Sequence, residues 1–133
     1  MATILLADDS ADLRSLYAPL LRSRGHEVHE AENGRDAVAG TRALRPDLLL
    51  LDIWMPGLNG FEVLDTLRGD PAATRTRVAM LSVLGDADCQ FEAFGAGAVE
   101  YLVKGLGLSE FVERVEAILS SGPVEAVQNP RDP

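Results

Sequence analysis

The chain has 133 residues, of which 47% are apolar, and this length is enough for one globular domain with a hydrophobic core. Its formal net charge of -9, without any basic run, argues against direct binding to nucleic acid. A single cysteine forms no internal disulfide, and the apolar run near the N-terminus is too short for a signal peptide or a membrane span. We therefore expect a soluble, cytoplasmic protein.

Short apolar runs recur along the chain and predict five β-strands. Three of the runs are almost continuously apolar, which is typical of parallel strands that are buried on both faces. The five runs are Thr3–Ala7, Val28–Ala31, Leu48–Leu51, Val78–Leu81 and Tyr101–Val103.

Segments of helical period separate these runs and predict five helices. Ser10 is expected to cap the first helix, and a weaker stripe over residues 37–44 predicts the second. Asn59 and Ser109 are expected to cap the third and fifth helices, and residues 87–95 give the weakest of the five predictions. The apolar stripe expected for the first helix is Leu13, Leu16, Tyr17, Leu20 and Leu21.

The alternation of strands and helices predicts the fold class and the extent of the domain. Five β/α repeats favour an α/β protein with an open, doubly wound parallel sheet and helices on both faces. After residue 121 the periodicity stops and three prolines follow. We therefore expect one domain over residues 1–121 and a disordered tail or truncated linker over residues 122–133.

Polar residues follow four of the five predicted strands. The first strand leads into Asp8 and Asp9, the third into Asp52, the fourth into Ser82, and the fifth into Lys104, the only lysine of the chain. In an open parallel sheet, ligands bind at the carboxyl ends of the strands, and neighbouring strands lie about 4.8 Å apart. We expect these side chains to converge in one crevice.

Such a crevice would need a cation. Carboxylates about 4 Å apart repel each other by roughly 4 kcal/mol per pair at an effective dielectric constant of 20, so three of them must bind protons or a metal. With only oxygen ligands at hand, Mg²⁺ is favoured, Mn²⁺ comes next and Ca²⁺ is a third option, whereas Zn²⁺ is disfavoured. Magnesium held by one or two carboxylates typically shares its site with a phosphate, so the pattern points to a phosphoryl group.

Four sequence features stand out together: the Asp8-Asp9 pair, the block LLLLDIWMPGLNGFEVL around Asp52, Ser82, and the segment GAGAVEYLVK ending at Lys104. In order and in spacing they resemble the receiver domain of two-component response regulators, over about residues 3–120. The resemblance implies a flavodoxin-like sheet with strand order 2-1-3-4-5. It implies further that Asp52 is the nucleophile that takes a phosphoryl group from a sensor histidine kinase or a phosphotransfer protein. The domain would catalyse only its own phosphorylation and dephosphorylation.

The resemblance also implies a role for each polar residue at this edge. Asp9 would ligate Mg²⁺ directly and Asp8 at least through water, while the Asp52 carboxylate and the backbone carbonyl of Trp54 would complete the protein's ligands. Lys104 would contact a phosphoryl oxygen, and the Ser82 hydroxyl would donate a hydrogen bond to the phosphoryl group.

A conformational switch is implied as well. Ser82 would move toward the phosphoryl group and Tyr101 would turn inward, which would change the face built by the fourth helix, the fifth strand and the fifth helix. This face is expected to bind an output protein or a second copy of the chain. Gly105 departs from the family, in which a proline usually follows the lysine through a cis peptide bond. A glycine peptide strongly prefers trans, so the sequence leaves open both the isomer of this bond and the aim of Lys104.

Two other functions compete with the phosphoaccepting receiver. The chain could be an interaction module of the same fold that works without phosphorylation, an alternative that Gly105 and Val83 keep open. A phosphatase of the haloacid dehalogenase group would need an aspartate two residues after the nucleophile, where this chain has Trp54. The sequence names neither the cognate kinase nor the output pathway.

Overall fold

The computed structural model describes residues 2–83, 85 and 87–121, so the predicted tail at 122–133 lies outside the described residues. Five parallel strands form one sheet: Thr3–Ala7 (β1), Glu27–Ala31 (β2), Leu48–Asp52 (β3), Arg77–Ser82 (β4) and Glu100–Val103 (β5). Their spatial order is β2-β1-β3-β4-β5. The predicted α/β class and the strand order implied by the resemblance are both confirmed.

The central strand β3 carries Asp52 to the middle of the sheet edge. All five residues of β3 are buried, because β1 and β4 flank the strand and helices cover both faces. In the edge strand β2, by contrast, Val28 and Ala31 are buried and Glu27 is exposed. A run of four leucines therefore suits the centre of the sheet, where side chains on both faces leave water.

Five helices cover the described sheet. α1 and α5 pack on one face, and α2, α3 and α4 pack on the other. No helix among the described residues is long and apolar enough to cross a membrane. The helices are Ala11–Ser23 (α1), Gly34–Leu44 (α2), Gly60–Leu67 (α3), Ala87–Gly95 (α4) and Leu108–Leu119 (α5), and a short 3-10 helix, Pro71–Ala73, precedes β4.

Two of the three predicted helix caps are confirmed. The Ser10 hydroxyl accepts a hydrogen bond from the backbone nitrogen of Leu13 at 3.2 Å and starts α1. The Asn59 side chain accepts from the backbone nitrogen of Glu62, whose own side chain accepts from the backbone nitrogen of Asn59, both at 2.9 Å. These reciprocal bonds satisfy backbone donors that the first turn of α3 would otherwise leave unpaired.

The predicted cap of α5 is wrong. The helix begins at Leu108 with Gly107 at the cap position, so Ser109 lies inside the first turn and no side chain caps the helix. Phe111 stacks on Tyr17 of α1 with ring centroids 4.2 Å apart. We attribute the start of α5 to this packing, since burial of an aromatic pair contributes as much as a serine cap.

The apolar stripe predicted for α1 is wrong at one position. Leu16 is 50% exposed, whereas its neighbours Tyr17 and Ala18 are buried against the sheet. The prediction followed residue type, whereas the rotation of α1 turns Leu16 toward solvent and places the small Ala18 against the sheet.

Gly60, the first residue of α3, allows this helix to start directly against the end of β3. Its backbone nitrogen donates to the Ile53 carbonyl at 2.7 Å, and a Cβ here would lie 2.6 Å from the Asp52 carbonyl oxygen. We expect Gly60→Ala to lower the free energy of unfolding in urea by about 2 kcal/mol, because the crowding atoms belong to the backbone. Gly95→Ala, in which the added Cβ would meet nothing within 4 Å outside its own helix turn, is the matched control. Equal losses in both variants would contradict this expectation.

Candidate functional site

Three carboxylates and one ammonium group meet at the carboxyl ends of β1, β3 and β5. Asp8 and Asp9 follow β1, Asp52 ends β3, and Lys104 follows β5. One carboxylate oxygen of each aspartate lies within 4.8 Å of the others. Asp8 and Asp52 are buried, while Asp9 is exposed to solvent. The expected convergence at one edge of the sheet is therefore observed for these four residues.

Lys104 lies between two of the carboxylates. Its Nζ is 2.9 Å from Asp8 Oδ2 and 3.1 Å from Asp52 Oδ1. The backbone nitrogen of Lys104 donates to the Ser82 carbonyl at 2.7 Å, which continues the pairing of β5 with β4. No peptide bond between described residues is cis. The bond before Gly105, which the sequence left open, is thus trans, and Lys104 reaches the carboxylates with it.

Asp8 is held through both of its carboxylate oxygens, one by the backbone and the other by Lys104. Its Oδ1 accepts a hydrogen bond from the backbone nitrogen of Ser10 at 2.9 Å. Its Oδ2 is buried and, among the described residues, meets only the ammonium group of Lys104, at 2.9 Å. A buried carboxylate oxygen that faces a single ammonium group still has a lone pair for a hard cation.

Burial and the charge of Asp8 raise the pKa of Asp52 from 3.8 to about 6. Lys104 opposes this shift through its charge and its hydrogen bond to Asp52 Oδ1, and the backbone nitrogen of Trp54 adds a further hydrogen bond at 3.3 Å. One ammonium group does not compensate two buried carboxylates. The electrostatics therefore favour the uptake of a proton or of a metal ion.

Lys104 remains a cation in this setting. Burial lowers the pKa of its ammonium group, but contact with the Asp8 and Asp52 carboxylates outweighs burial, so that the pKa is raised above 10.5. A compact ammonium group held between two carboxylates can also contact a third oxygen brought to the same place.

The other predicted site residues lie around this cluster. Ser82 is buried at the end of β4, one residue beyond Leu81, the residue that pairs with Asp52. Tyr101 is buried on β5, in the core layer beneath α2, α3 and α4. The indole of Trp54 is 54% exposed beside the site. The positions of these residues are observed, but their chemical roles stay predictions.

Arg14, which was not among the predicted site residues, contacts the acidic pair through the backbone. Its Nη1 donates to the carbonyl oxygen of Asp8 at 2.6 Å, although its side chain belongs to α1. The available signal was position: Arg14 lies one turn after Ser10, the residue that caps α1 beside this strand end.

Comparisons with known proteins agree with this geometry. The family model of the response regulator receiver domain matches residues 4–116. The chain is 36% identical to the phosphate regulon transcriptional regulatory protein PhoB of Pseudomonas aeruginosa, over 91% of this chain and 53% of PhoB. It is 34% identical to protein PilH of the same organism, over 90% of this chain and 99% of PilH.

Structural comparison gives the same result. The solved structure of the Vibrio cholerae chemotaxis protein CheY4 matches with a TM-score of 0.83 and 29% sequence identity, over 89% of this chain and 98% of that one. The chain spans about half the length of the first curated relatives that it matches. Because the family match covers most of the described residues and includes the entire acidic cluster, the chain belongs to the response regulator receiver domain family.

Proposed function

We propose that Asp52 accepts a phosphoryl group from the phosphohistidine of a sensor histidine kinase or of a phosphotransfer protein, in a Mg²⁺-dependent reaction that operates a signalling switch. The observation that carries this proposal is the cluster of Asp8, Asp9 and Asp52 around Lys104. A single aspartate at the end of a strand is often a helix cap. Three carboxylates around one ammonium group form instead a site that must gain positive charge.

The ligands at this site fit Mg²⁺, with Mn²⁺ as the second choice. The carboxylates of Asp8, Asp9 and Asp52 and the backbone carbonyl of Trp54 would hold the ion, and all are hard oxygen ligands. The buried Asp8 Oδ2, whose contact among the described residues is the Lys104 ammonium group, supports this assignment. When bound, the ion supplies positive charge that neutralises the oxygens of the transferring phosphoryl group.

The side chains around Asp52 would position and stabilise the transferring group. An oxygen of the Asp52 carboxylate attacks phosphorus in line, and the bond between phosphorus and the histidine nitrogen breaks with its electron pair returning to the imidazole. Lys104 Nζ, 3.1 Å from Asp52 Oδ1, would contact a phosphoryl oxygen, and Ser82 would donate its hydroxyl hydrogen to another. Phosphoryl transfer needs mainly this positioning and charge stabilisation from the protein.

The affinity for Mg²⁺ should fall in acid, because a protonated Asp52 is a poor ligand. With a pKa of about 6 in the metal-free protein, the apparent dissociation constant should rise by almost tenfold per pH unit below that value. Trp54, the only tryptophan, follows Asp52 by two residues, so a change in its fluorescence is the readout we would use between about pH 5 and pH 8. Asp52→Asn should bind more weakly and show a flatter profile, whereas an equally steep profile in this variant would contradict the assignment to Asp52.

The output surface in this proposal is the face formed by α4, β5 and α5, with Ser82 and Tyr101 as the switch. Phe91 and Phe94 on α4 and Leu108 on α5 are exposed apolar side chains, which supports a role for these elements in binding. We expect phosphorylation to favour a homodimer or a complex with an output protein. Size-exclusion chromatography with light scattering measures this as an increase in mass. If oligomeric state and partner affinity were the same in both forms, this surface would be wrongly assigned.

The decisive experiment is incubation of the protein with a small phosphodonor and Mg²⁺, followed by measurement of the intact mass. We expect a gain of one phosphoryl group that disappears when the metal is chelated and in Asp52→Ala. The alternative, a receiver-like module that works without phosphorylation, predicts no gain in mass under any of these conditions. A gain that persists in Asp52→Ala would show that another residue accepts the group.

A further inference from the structure

Arg14 joins the acidic end of β1 to the neighbouring strand β2. Its Nη1 donates to the carbonyl oxygen of Asp8 at 2.6 Å, and its Nε donates to Glu30 Oε1 on β2 at 3.1 Å. The Arg14 side chain is 14% exposed, so its bond to the Asp8 carbonyl is partly shielded from water, whereas Glu30 lies at the surface. The planar guanidinium group can make both bonds at once because its donors are fixed in a fork.

The carbonyl that Arg14 binds belongs to the peptide unit between Asp8 and Asp9. A peptide unit is planar, so fixing its carbonyl also fixes the direction of the Asp9 backbone nitrogen and of the chain that carries the Asp9 carboxylate. Two further bonds hold Asp8: its nitrogen donates to the Ala31 carbonyl at 3.0 Å, and its Oδ1 accepts from the nitrogen of Ser10 at 2.9 Å. Arg14 is the side chain that completes this support.

We propose that Arg14 is a positioning residue of the metal site: it holds the Asp8–Asp9 peptide so that both carboxylates face the same ion. This inference rests on the proposed function, because it assumes that the cluster binds Mg²⁺. Arg14 does not touch the ion or the phosphoryl group in this arrangement. Its effect passes through the backbone of Asp8, as with other groups that orient metal ligands without binding the metal.

The sign of the effect on Mg²⁺ binding separates positioning from simple electrostatics. Arg14 is a cation close to a site for a cation, so loss of its charge alone would strengthen Mg²⁺ binding. Loss of positioning would weaken binding, since the carboxylates would no longer be held for the same ion. A folded variant that lacks the positive charge and binds Mg²⁺ more weakly is therefore explained by lost positioning and not by lost charge.

Arg22 supplies a matched control within the same chain. It also lies on α1, donates to a backbone carbonyl, that of Val28, at 2.7 Å, and pairs with Glu30 at 3.5 Å. None of these contacts involves Asp8 or Asp9. Arg22→Gln and Arg14→Gln each remove one positive charge, a bond to a backbone carbonyl and an ion pair with Glu30, but only Arg14→Gln releases the backbone at the acidic cluster. Arg14 differs from Arg22 in being more buried and in a second, longer contact with Glu32 at 4.0 Å.

The test is to titrate the wild-type protein and both variants with Mg²⁺ alone. Binding is measured from the change in Trp54 fluorescence and, independently, by calorimetry. We expect Arg14→Gln to bind about tenfold more weakly and Arg22→Gln to bind like the wild type. Unchanged or tighter binding by Arg14→Gln, or equal weakening in both variants, would overturn the inference. Failure of the wild-type protein to bind Mg²⁺ would overturn the proposed function itself, and this inference with it.

Thermal unfolding in the absence of metal shows whether each variant is folded before titration. Should Arg14→Gln fail to fold, Arg14→Lys is titrated instead. This variant keeps the charge, but a single ammonium group cannot reproduce the fork, so Mg²⁺ binding should still weaken by about threefold or more. Wild-type affinity in Arg14→Lys would then overturn the inference.

Discussion

Asp52→Asn is expected to abolish phosphoryl acceptance and, at the same time, to stabilise the metal-free protein near neutral pH. The amide is not a nucleophile for phosphorus, so the gain in intact mass should disappear. The stabilisation has a separate cause. The Asp52 side chain is 4% exposed, and burial followed by the charge of Asp8 raises its pKa from 3.8 to about 6. Asparagine resembles the protonated form and avoids the cost of a buried charge.

The pH range of this stabilisation follows from the direction of the shift. The folded-state pKa of Asp52 lies above the unfolded value, so its contribution to stability is fully present below pH 3.8 and is lost as the pH rises through about 6. At 1.36 kcal/mol per pKa unit, the loss is about 3 kcal/mol. Urea unfolding in a chelator should therefore favour Asp52→Asn by up to this amount at about pH 8 and show little difference at about pH 4.

Asp70→Asn is a control in which the expected change in stability at neutral pH has the opposite sign. The hydrogen bond from Arg42, followed by that from the backbone nitrogen of Ala72, holds the pKa of Asp70 below its usual value of 3.8. Replacing Asp70 should therefore destabilise the protein at neutral pH. Should Asp52→Asn also destabilise the metal-free protein at that pH, the electrostatic description of the site would be wrong, whatever the result of the phosphorylation assay.

Lys104→Ala is expected to slow phosphoryl acceptance by roughly 100-fold and to destabilise the metal-free protein by about 2 kcal/mol. The rate should fall because no ammonium group remains to neutralise a phosphoryl oxygen. Stability should fall because the Asp8 and Asp52 carboxylates, 2.9 and 3.1 Å from Nζ, lose the cation between them. The pKa of Asp52 should rise further, since Lys104 now lowers it.

The same variant should bind Mg²⁺ more tightly than the wild type, because a competing cation has been removed. Slower phosphorylation together with tighter metal binding would separate the role of Lys104 from a general loss of structure. Arg42→Ala, which breaks an exposed ion pair with Asp70, is the control and should leave phosphorylation and Mg²⁺ binding unchanged. Phosphorylation of Lys104→Ala at the wild-type rate would refute the assigned role.

The sequence predicted the elements well where local signals decide. Runs such as Leu48–Leu51 are too apolar for an edge strand, and Ser10 and Asn59 satisfy backbone donors at helix starts with their own side chains. These are interactions between near neighbours. Prediction failed at Ser109 and Leu16, where contacts between α1, α5 and the sheet decide the outcome. The strand order came from the family resemblance, because composition does not state which strands pair.

The candidate site shows the same division. The sequence alone determined that acids, a hydroxyl and the only lysine stand at the carboxyl ends of strands, since each follows an apolar run directly. Only the tertiary structure decided that Asp8 is buried while Asp9 is exposed, that Lys104 lies between Asp8 and Asp52, and that Arg14 binds the Asp8 backbone. The reason is physical: these properties depend on distances between segments far apart in the chain, and such distances are fixed only when the sheet and its helices pack together.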